Sequence, residues 1–439
     1  MTLNHRRAIA SLRSLLRRRA PDELLRKLAP NESPRPARVV SGAEITPEQL
    51  QLRWQGLPRA EAAHRLLLDP VTAQQARAYT HNVENFIGTV KVPVGIAGPV
   101  RVNGAHAQGD YYVPMATTEA ALVASYSRGA QLITEAGGCS AVTTNEGVSR
   151  APGFAFRTLH EAGQFIAWAL GTLPDMKRVA DATSRYGRLQ EMRVNLEGNH
   201  VYLIFDFATG DASGQNMVTI ATQAVCDYIA RECPIVPRYG FLEANHSGDK
   251  KASAQSFIVG RGRSVTADIV VPRRMVQERL HATPEMMARY WAMSAVGGVL
   301  SGTIGVQGHY ANGLAAVYLA CGQDVACVAE SAVGVTRMEQ TDEDLYTSVT
   351  LPNLLVGTVG GGTALPSQRA CLDILGLVGT GHANAFAEVC AAVALAGELS
   401  IVGALVAGEF AEAHQRLARG GARTTAHETG ATLPEAVHV

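Results

Sequence analysis

Six consecutive segments between residues 153 and 244 constrain the fold more than any other feature of this sequence. Residues 153–158 and 234–244 read as strands, and residues 187–207 read as two strands joined by a turn at 197–199. Helical spacing separates them at 159–170 and at 216–230. The helical face predicted for the second of these comprises Met217, Ala221, Ala224, Val225 and Tyr228. Strand, helix, strand, strand, helix, strand is the order of the split βαβ, ferredoxin-like unit, so we predict a small domain at 151–241.

The sequence on either side predicts a larger domain preceded by helices. Residues 1–83 read as a polar, helical N-terminal region, and strand-like sequence rich in Gly and Pro begins at Glu84. The segment 389–408 is the most apolar, but Glu398 limits its uncharged runs to about ten residues, fewer than the roughly 18–20 of a membrane span. We therefore predict an α+β protein whose large, helix-rich domain, 84–150 and 242–439, surrounds a buried central helix.

The composition argues against several classes of function. The 39 basic and 39 acidic residues give a formal net charge of zero, unlike a protein that binds nucleic acid or membrane through general electrostatics. Residues 1–30 are basic, and they form either a solvated helix or a surface for a membrane, a partner or RNA. The seven cysteines form no C-x-x-C pair, as expected of a reduced, cytoplasmic protein. A zinc-like helix start at 159–164 has Gln164 in place of the second histidine, so we predict no metal.

Lysine is rare in this chain, yet two of its five lysines, Lys250 and Lys251, stand side by side after Asp249. The other 34 basic residues are arginines. A lysine ammonium is a compact charge whose pKa moves readily, whereas an arginine guanidinium is a planar, permanently charged fork. The stretch SGDKKA is therefore either an exposed loop with solvated charges or a site that directs one concentrated charge at an oxygen.

Three further residues are candidates for proton transfer or charge stabilisation. Glu119 lies at the start of an apolar helix, where it either favours the helix dipole or, if desolvated, holds a proton for transfer. Asp324 lies in an almost uncharged segment, so its carboxylate is either exposed or paired, and Lys250 is a possible partner. His414 precedes a Gly-Gly break and is either structural or carried over a site by a mobile segment as an acid.

Two glycine-rich segments, 210–216 (GDASGQN) and 357–363 (GTVGGGT), fall between predicted elements. Glycines let backbone amides approach phosphates closely, and helix N-termini favour anions. Neither segment matches G-x-G-x-x-G or the P-loop, so each is also compatible with a simple tight turn.

Taken together, these stretches resemble the 3-hydroxy-3-methylglutaryl-CoA (HMG-CoA) reductase family. The similar motifs cover roughly residues 84–419 in the family's order: ENFIG…VPVGIAGP, VPMATTEAALVAS, DATSRYGRLQ, GDASGQNM, GDKKAS, GRGRS, YLACGQD, DLYTSVTLPNL, GTVGGGT and AGELS. The membrane-embedded region of the animal enzymes has no counterpart here, so the resemblance is to a soluble, prokaryotic-type form.

The resemblance implies two successive hydride transfers from a nicotinamide cofactor, with NADPH expected ahead of NADH. The HMG-CoA thioester would become a hemithioacetal, lose CoA to give mevaldehyde, and be reduced to mevalonate. The family's catalytic positions fall on Glu119, Lys250, Asp324 and His414. Lys250 would face the oxygen that gains negative charge, Glu119 would supply protons, Asp324 would hold the charge network, and His414 would protonate the departing thiolate.

The binding residues are also implied by the resemblance. Substrate contacts fall on Arg150, Asp249, Lys251 and Asn245 at the HMG end, and on Ser125 and Arg128 at the CoA side. Cofactor contacts fall on Ser184, Arg185, Asp211, Gly214, Asn216, Gly360, Gly361, Gly362 and Arg419. The small domain would hold the cofactor without a Rossmann fold. Family members build active sites across a dimer interface, so we expect a dimer or tetramer without nucleic-acid partners.

One position departs from the family pattern. The family often has Ser-Gly-Asn six residues before its Asp-Lys-Lys, whereas this chain has Glu243-Ala244-Asn245, so a substrate-contacting serine is replaced by an acid. Two other functions stay open at this point. The chain could run the reaction oxidatively, degrading mevalonate with NAD, or it could hydrolyse CoA thioesters with Glu119 and His414.

Overall fold

The computed structural model describes residues 9–10, 13–14, 16–17, 20–30, 38–57 and 61–410. These residues belong to two compact units, 1–88 and 89–439. The helices of the first unit are α1 (Pro21–Leu28), α2 (Pro47–Gln55), α3 (Glu61–Leu67) and α4 (Pro70–Gln74), followed by a 3₁₀ helix, Ala76–Tyr79. Arg53, which is 2% exposed, donates hydrogen bonds to the carbonyls of Val40, Gly42, Glu44 and Phe86. This side chain therefore ties the segments around α2 together through their backbone.

The described part of the second unit contains a sheet of ten strands. They are β1 (Val94–Gly104), β2 (Gln108–Ala116), β3 (Cys139–Arg150), β4 (Gly153–Ala155), β5 (Arg188–Glu197), β6 (His200–Ala208), β7 (Tyr239–Phe241), β8 (Gly262–Val271), β9 (Val335–Thr341) and β10 (Asp344–Leu354). The main path is β7-β4-β6-β3-β8-β10-β9, with β1 between β2 and β3 and with β5 beside β6. Long β3 belongs to both halves, because it pairs with β8 over most of its length and with β6 at its C-terminal end.

The segment 151–241 contributes four strands and three helices. The helices are α6 (Leu159–Gly171), α7 (Leu173–Asp181) and α8 (Gln215–Glu232). Its strands lie in the order β7-β4-β6-β5, with every neighbouring pair antiparallel. The predicted hairpin turn is present between Glu197 and His200, with Gly198 at φ 56°. The helix predicted at 159–170 is present as α6, and an additional helix, α7, follows it, because Thr172 ends α6 and Pro174 begins a new helix.

The buried face predicted for α8 was partly wrong. Ala221 and Val225 are buried as predicted, but Met217, Ala224 and Tyr228 are only half-buried. The remaining buried positions are Val218, Thr222 and Ile229. The face that packs on the sheet is therefore rotated by about one residue, because the apolar residues of this helix surround much of its circumference and give the pattern little contrast.

The helices of the rest of the second unit surround one long central helix. They are α5 (Leu122–Glu135), α9 (Arg273–Leu280), α10 (Pro284–Ser301), α11 (Tyr310–Ala320), α12 (Val328–Ser331), α13 (Pro366–Leu375) and α14 (Ala383–Val406). The central helix, α14, packs against α5, α11, β8 and β10. A Cβ atom at Gly129 of α5 would overlap the carbonyl oxygen of Ala396, so small residues permit this close approach.

Within the described ranges, α14 is the one helix with the length and hydropathy of a membrane span. However, 83% of its most apolar window is buried inside the protein. Its two glutamates, Glu388 and Glu398, are also buried and accept backbone N–H groups from neighbouring loops. The helix therefore forms the core of the second unit, as predicted from the apolar segment.

Candidate active site

Lys250 and Asp324 form an ion pair at the surface of the second unit. The ammonium Nζ lies 2.8 Å from Oδ2 of Asp324, and the two side chains are 41% and 40% exposed. The other carboxylate oxygen of Asp324 accepts the Ala326 N–H at 3.0 Å, at the start of a 3₁₀ helix, Val325–Cys327. The hydrogen bond from Lys250 to Asp324 raises the pKa of the ammonium in spite of partial burial. A fixed, fully charged ammonium thus faces solvent.

The backbone of Lys250 is held in the left-handed region, at φ 57°. This conformation is uncommon outside glycine and persists where the surroundings impose it. Here the Lys250 N–H donates to Oε1 of Glu330 at 3.2 Å. Glu330 is fully buried and receives two hydrogen bonds from Nη1 of Arg261, at 2.7 and 2.8 Å. The buried pair Arg261–Glu330 therefore fixes the loop that presents the exposed lysine.

A second buried arginine extends this network. Arg150, at the end of β3, donates from Nη1 to Oδ2 of Asp249 at 3.1 Å, and Arg261 approaches Oδ1 of Asp249 at 3.0 Å. Gln215, the first residue of α8, connects them: its Oε1 accepts from Arg150 at 3.3 Å and from Arg261 at 2.8 Å. Its Nε2 donates to Asp249 at 3.1 Å and to the sulfur of Cys327 at 3.2 Å. Four distant parts of the chain thus converge on one charged cluster.

The cluster shifts its titrating groups in opposite directions. Burial alone would raise the pKa of Asp249, but the charge of Arg261, the Gln215 hydrogen bond and Arg150 together hold it below its usual range. For Glu330 burial dominates, and the pKa is raised although Arg261 opposes the shift. Burial also raises the pKa of the Cys327 thiol to about 12, so this sulfur is not a nucleophile at neutral pH.

Glu119 is placed apart from this pair in the single chain. Its carboxylate is exposed and accepts hydrogen bonds from Nδ2 of Asn312, at 3.2 and 3.4 Å. Helix α5 begins three residues later, at Leu122. Within the described part of the chain, no hydrogen bond or ion pair joins Glu119 to Lys250 or Asp324. Of the two alternatives for Glu119, desolvation of its carboxyl is therefore not found within one chain.

The other residues expected at the HMG end lie on the same loop as Lys250. Lys251 is exposed, and its ammonium donates to the carbonyl of Asp249 at 2.9 Å. Asn245 is exposed and has a positive φ of 63°. Glu243, which stands where the family often has serine, contacts Arg150 at 3.5 Å. Together with Arg150 and Asp249, these side chains form a mixed-charge surface.

The two residues expected at the CoA side are neighbours. The hydroxyl of Ser125 lies 2.9 Å from that of Ser400, and Arg128 donates to the same hydroxyl at 3.1 Å and to the Ser400 carbonyl at 2.6 Å. A further ion pair, at 3.9 Å, joins Arg128 to Glu409. Helices α5 and α14 therefore present one polar patch near their contact.

The two glycine-rich segments, treated separately in the sequence, pack against each other. Ala212 and Val359 form a parallel bridge, and the Thr358 N–H donates to the Asp211 carbonyl at 2.8 Å. The Asp211 carboxylate accepts N–H groups from Gly381 at 2.8 Å and Ala383 at 3.1 Å, next to the start of α14. The two segments thus form one surface, and Asp211 secures it.

The glycines of this surface have different functions. Gly214 starts α8 at φ 77°, and a Cβ there would overlap Thr209. Gly362 lies against the backbone of Gly322, so it permits packing. Gly360 and Gly361 have positive φ values and open space where a Cβ would lie, so their backbone can approach a ligand. Asn216 is exposed beside them in the chain, in the first turn of α8.

The remaining cofactor candidates lie on the turn before β5. The Ser184 hydroxyl accepts the N–H groups of Tyr186 and Gly187, both at 3.1 Å, which organises the turn. Arg185 is exposed, and its guanidinium makes no hydrogen bond or ion pair with another residue that the structure describes. His414 and Arg419 lie outside the described residues. Across the part of the chain that is described, no group of three or more His, Cys, Asp or Glu side chains could hold a metal ion.

Three residues of the charged cluster were missed by sequence reasoning: Gln215, Arg261 and Glu330. Glu330 could have been found, because it lies in the apolar stretch VACVAESAVG just as Asp324 lies in an uncharged one. Gln215 and Arg261 stand inside recognised motifs, GDASGQN and GRGRS, but nothing local distinguishes a glutamine that bridges two arginines.

Comparison with known proteins identifies the family of the chain. The family model for hydroxymethylglutaryl-coenzyme A reductase matches residues 51–419. The chain is 44% identical over 346 residues to the 3-hydroxy-3-methylglutaryl-coenzyme A reductase of Methanothermobacter thermautotrophicus, covering 78% of this chain and 87% of that protein. It is 44% identical over 349 residues to the protein of that name from Aeropyrum pernix, covering 78% and 83%.

A solved structure shares the fold at lower identity. It is the class II 3-hydroxy-3-methylglutaryl-CoA reductase from Streptococcus pneumoniae bound to NADPH, with a TM-score of 0.61 and 19% identity over 83% of this chain and 98% of that one. This likeness concerns the fold alone, whereas the family model and the archaeal relatives match in sequence over most of the chain. The chain therefore belongs to the hydroxymethylglutaryl-coenzyme A reductase family.

Proposed function

We propose that this chain reduces HMG-CoA to mevalonate and free CoA, the reductive step of a mevalonate and isoprenoid pathway, with Lys250 as the charge-stabilising residue. The observation that carries this proposal is the exposed Lys250 ammonium, fixed by Asp324 at 2.8 Å on a loop anchored by buried ion pairs. An ammonium held in place before the reaction stabilises a developing negative charge without reorganisation.

The residues act on two successive reductions. The nicotinamide cofactor supplies one hydride to each. In the first, the thioester oxygen gains negative charge and then a proton, and the C–S bond of the resulting hemithioacetal breaks to release CoA and mevaldehyde. In the second, the aldehyde oxygen gains charge and then a proton. Lys250 stabilises both oxygens, Asp324 orients the ammonium, and Glu119 supplies protons.

The substrate is held at its two ends by different side chains. Arg150, Asp249, Lys251 and Asn245 receive the HMG end, because a guanidinium matches a carboxylate in shape and charge. Ser125 and Arg128 face the CoA side, where they already form one polar patch with Ser400. Both placements rest on the family resemblance of these positions.

The cofactor lies on the surface formed by the two glycine-rich segments. Gly360 and Gly361 leave space for a phosphate beside the backbone, and Gly214 and Asn216 stand at the N-terminus of α8, which favours an anion. Asp211 secures this surface through its amide contacts. NADPH is preferred to NADH, since Ser184 and Arg185 lie on an exposed turn and a guanidinium suits a 2′-phosphate.

The segment 151–241 is the ferredoxin-like nucleotide-binding domain of this arrangement. Its antiparallel strand order, β7-β4-β6-β5, and its flanking helices support that assignment. Residues 84–150 and 242–439 form the large substrate and dimerisation domain, and residues 1–83 precede it as a helical region. The seven cysteines, all free, support a cytoplasmic location.

The active site is completed by a second copy of the chain. Glu119 makes no contact with Lys250 or Asp324 among the described residues of one chain, so the proton donor of each site would come from a partner. Helix α10 exposes an apolar face that supports self-association as a dimer or tetramer: Met286, Met293, Val296, Val299 and Leu300.

His414 protonates the departing CoA thiolate, since an imidazole titrates near neutral pH and a free thiolate would attack the aldehyde again. His414→Gln should therefore slow the reduction of HMG-CoA strongly and largely spare the reduction of added mevaldehyde, which releases no thiol. Equal loss on both substrates would remove this role.

The proposed reaction is tested by mixing the purified protein with HMG-CoA and either NADPH or NADH, and following the absorbance of the reduced nicotinamide together with CoA release. Two molecules of cofactor should be oxidised for each CoA released, and faster with NADPH. CoA release without any cofactor would indicate a thioester hydrolase, and activity only from mevalonate with NAD would indicate the oxidative direction. The comparisons favour neither alternative.

A further inference from the structure

The guanidinium of Arg150 is already occupied by two carboxylates. Its Nη1 lies 3.1 Å from Oδ2 of Asp249 and 3.5 Å from Oε2 of Glu243, and its Nη2 donates to Gln215 at 3.3 Å. The side chain of Arg150 is only 9% exposed. An anionic ligand that reaches Arg150 must therefore enter a site in which negative charge is already present.

Glu243 is the less firmly held of the two carboxylates. Its Oε2 accepts the Ala151 N–H at 3.2 Å in addition to the long contact with Arg150. Its Oε1 is buried and has no hydrogen-bond partner, and Nε of Arg150 is buried without a partner as well. Burial without a donor penalises an ionised carboxylate more than a neutral carboxyl group.

The charge balance of the cluster points the same way. Its cations are Arg150, Arg261, Lys250 and Lys251, and its carboxylates are Asp249, Glu243, Glu330 and Asp324. Four cations thus balance the four carboxylates before any ligand binds. A ligand carboxylate at Arg150 becomes the fifth, and a further negative charge at close range favours the neutral form of a neighbouring carboxyl group.

Of the four carboxylates, Glu243 is the least firmly held. Asp249 is held by two arginines and Gln215, and Glu330 receives both hydrogen bonds from Arg261. Asp324 is paired with Lys250 at 2.8 Å. The titratable groups around Glu243 are Arg150 at the end of β3, Asp249 and His246 on its own loop, Arg261 before β8, and Tyr202 of β6 beside His246.

We propose that Glu243 takes up one proton when the terminal carboxylate of the acyl thioester binds at Arg150, and that it thereby makes substrate affinity depend on pH. The inference rests on the proposed function, because it takes the ligand to be HMG-CoA. The proton neutralises Glu243, and the ligand carboxylate takes the place of Glu243 on Arg150. Glu243 is thus a specificity-determining residue, and it acts on binding and not on hydride transfer.

The kinetic test compares the wild type with Glu243→Gln, which imitates the protonated form. At saturating reduced cofactor, the wild-type KM for HMG-CoA should rise about tenfold per pH unit between about pH 6 and 8, because one proton is bound with the ligand. For Glu243→Gln, the KM should stay flat and be lower than that of the wild type at the upper end of the range. Glu278→Gln removes an exposed carboxylate that pairs with Arg274, so it is the matched control and should keep the wild-type slope.

A second measurement needs no variant. Calorimetric titration of the wild type with HMG-CoA, without cofactor and in two buffers of different ionisation enthalpy, should show uptake of about one proton per ligand near neutral pH. A flat wild-type KM, an unchanged slope in Glu243→Gln, or the absence of proton uptake would overturn the inference. Failure of every variant to oxidise the cofactor would instead tell against the proposed function.

Discussion

Two neighbouring ion pairs, Arg261–Glu330 and Lys250–Asp324, differ in burial and in the number of partners of their cations. The side chains of Arg261 and Glu330 are 2% and 0% exposed, whereas those of Lys250 and Asp324 are 41% and 40% exposed. Arg261 uses its planar fork on Glu330, Asp249 and Gln215 at once, while Lys250 makes one direct pair. The buried pair holds the loop in place, and we propose that the exposed pair presents a charge to a ligand.

The contrast explains why lysine appears here in a chain that otherwise uses arginine. A buried cation with several acceptors benefits from five fixed donors, and arginine occupies those places. A cation that must stabilise the negative charge developing on one oxygen benefits from a compact ammonium group on a rigid backbone. The Glu330 carboxylate fixes that backbone, because it accepts the N–H of Lys250, whose φ is strained at 57°.

The largest expected effect lies in the buried pair. Arg261→Met leaves two carboxylates, Glu330 and Asp249, without this cation, and loss of one partner of a buried ion pair costs about 3–5 kcal/mol of unfolding free energy. Urea denaturation measures it. Lys250→Ala, in the exposed pair, should change the free energy of unfolding by no more than about 1 kcal/mol. Similar losses for both variants would remove the distinction between the pairs.

A smaller effect is expected where an exposed cation is proposed to meet the nucleotide. Among the described residues, the guanidinium of Arg185 makes no hydrogen bond or ion pair, as expected of a cation that binds a ligand. Arg185→Ala should weaken NADPH binding by about 10- to 150-fold and NADH binding much less, because one charge-assisted contact is worth about 1.5–3 kcal/mol. Fluorescence titration with each cofactor measures this. Equal weakening of both would place the 2′-phosphate elsewhere.

The smallest effect concerns pH, and it has opposite signs for the two carboxylates on Arg261. The lowered pKa of Asp249 means that its stabilisation is present at neutral pH and is lost as pH falls through the folded-state pKa. The raised pKa of Glu330 means that its stabilisation is present at acid pH and is lost as pH rises through the folded-state pKa. The stability cost of Asp249→Asn should therefore grow with pH, and that of Glu330→Gln should shrink.

Denaturant midpoints of both variants and the wild type, taken from about pH 4 to 7, test these two slopes. Parallel slopes for Asp249→Asn and Glu330→Gln would contradict the assignment of burial as the dominant cause at Glu330 and of the arginines as the dominant cause at Asp249.

Local pattern was sufficient for several features of the fold. The helix at 383–406 was expected from its apolar composition, and the hairpin at 197–200 from its Glu-Gly-Asn turn. Lys250 was singled out by its rarity, and its possible pairing with Asp324 followed from the cost of an unpaired carboxylate in an uncharged segment. Each of these signals is contained within a few consecutive residues or one composition argument.

The charged cluster could not be predicted in the same way. Gln215 and Arg261 are 46 residues apart, and Arg261 and Glu330 are 69 apart. Their meeting depends on the pairing of β3 with both β6 and β8, which brings the end of one strand to the start of another. The buried face of α8 was misplaced for a related reason. Apolar residues lie around much of this helix, and its contact with the sheet decides which of them are buried.

The most direct test of the account is the turnover of Lys250→Arg beside Lys250→Ala, with HMG-CoA and NADPH at saturation. Both should lose about 10²–10³-fold in kcat, the usual cost of removing one oxyanion-stabilising donor, because a planar fork does not replace a compact ammonium. Lys27→Arg is the matched control: Lys27 also pairs with a carboxylate at 2.8 Å, on an exposed helix, and its turnover should stay within about twofold. Near-normal turnover of Lys250→Arg would contradict the central claim that the exposed pair works as a point charge.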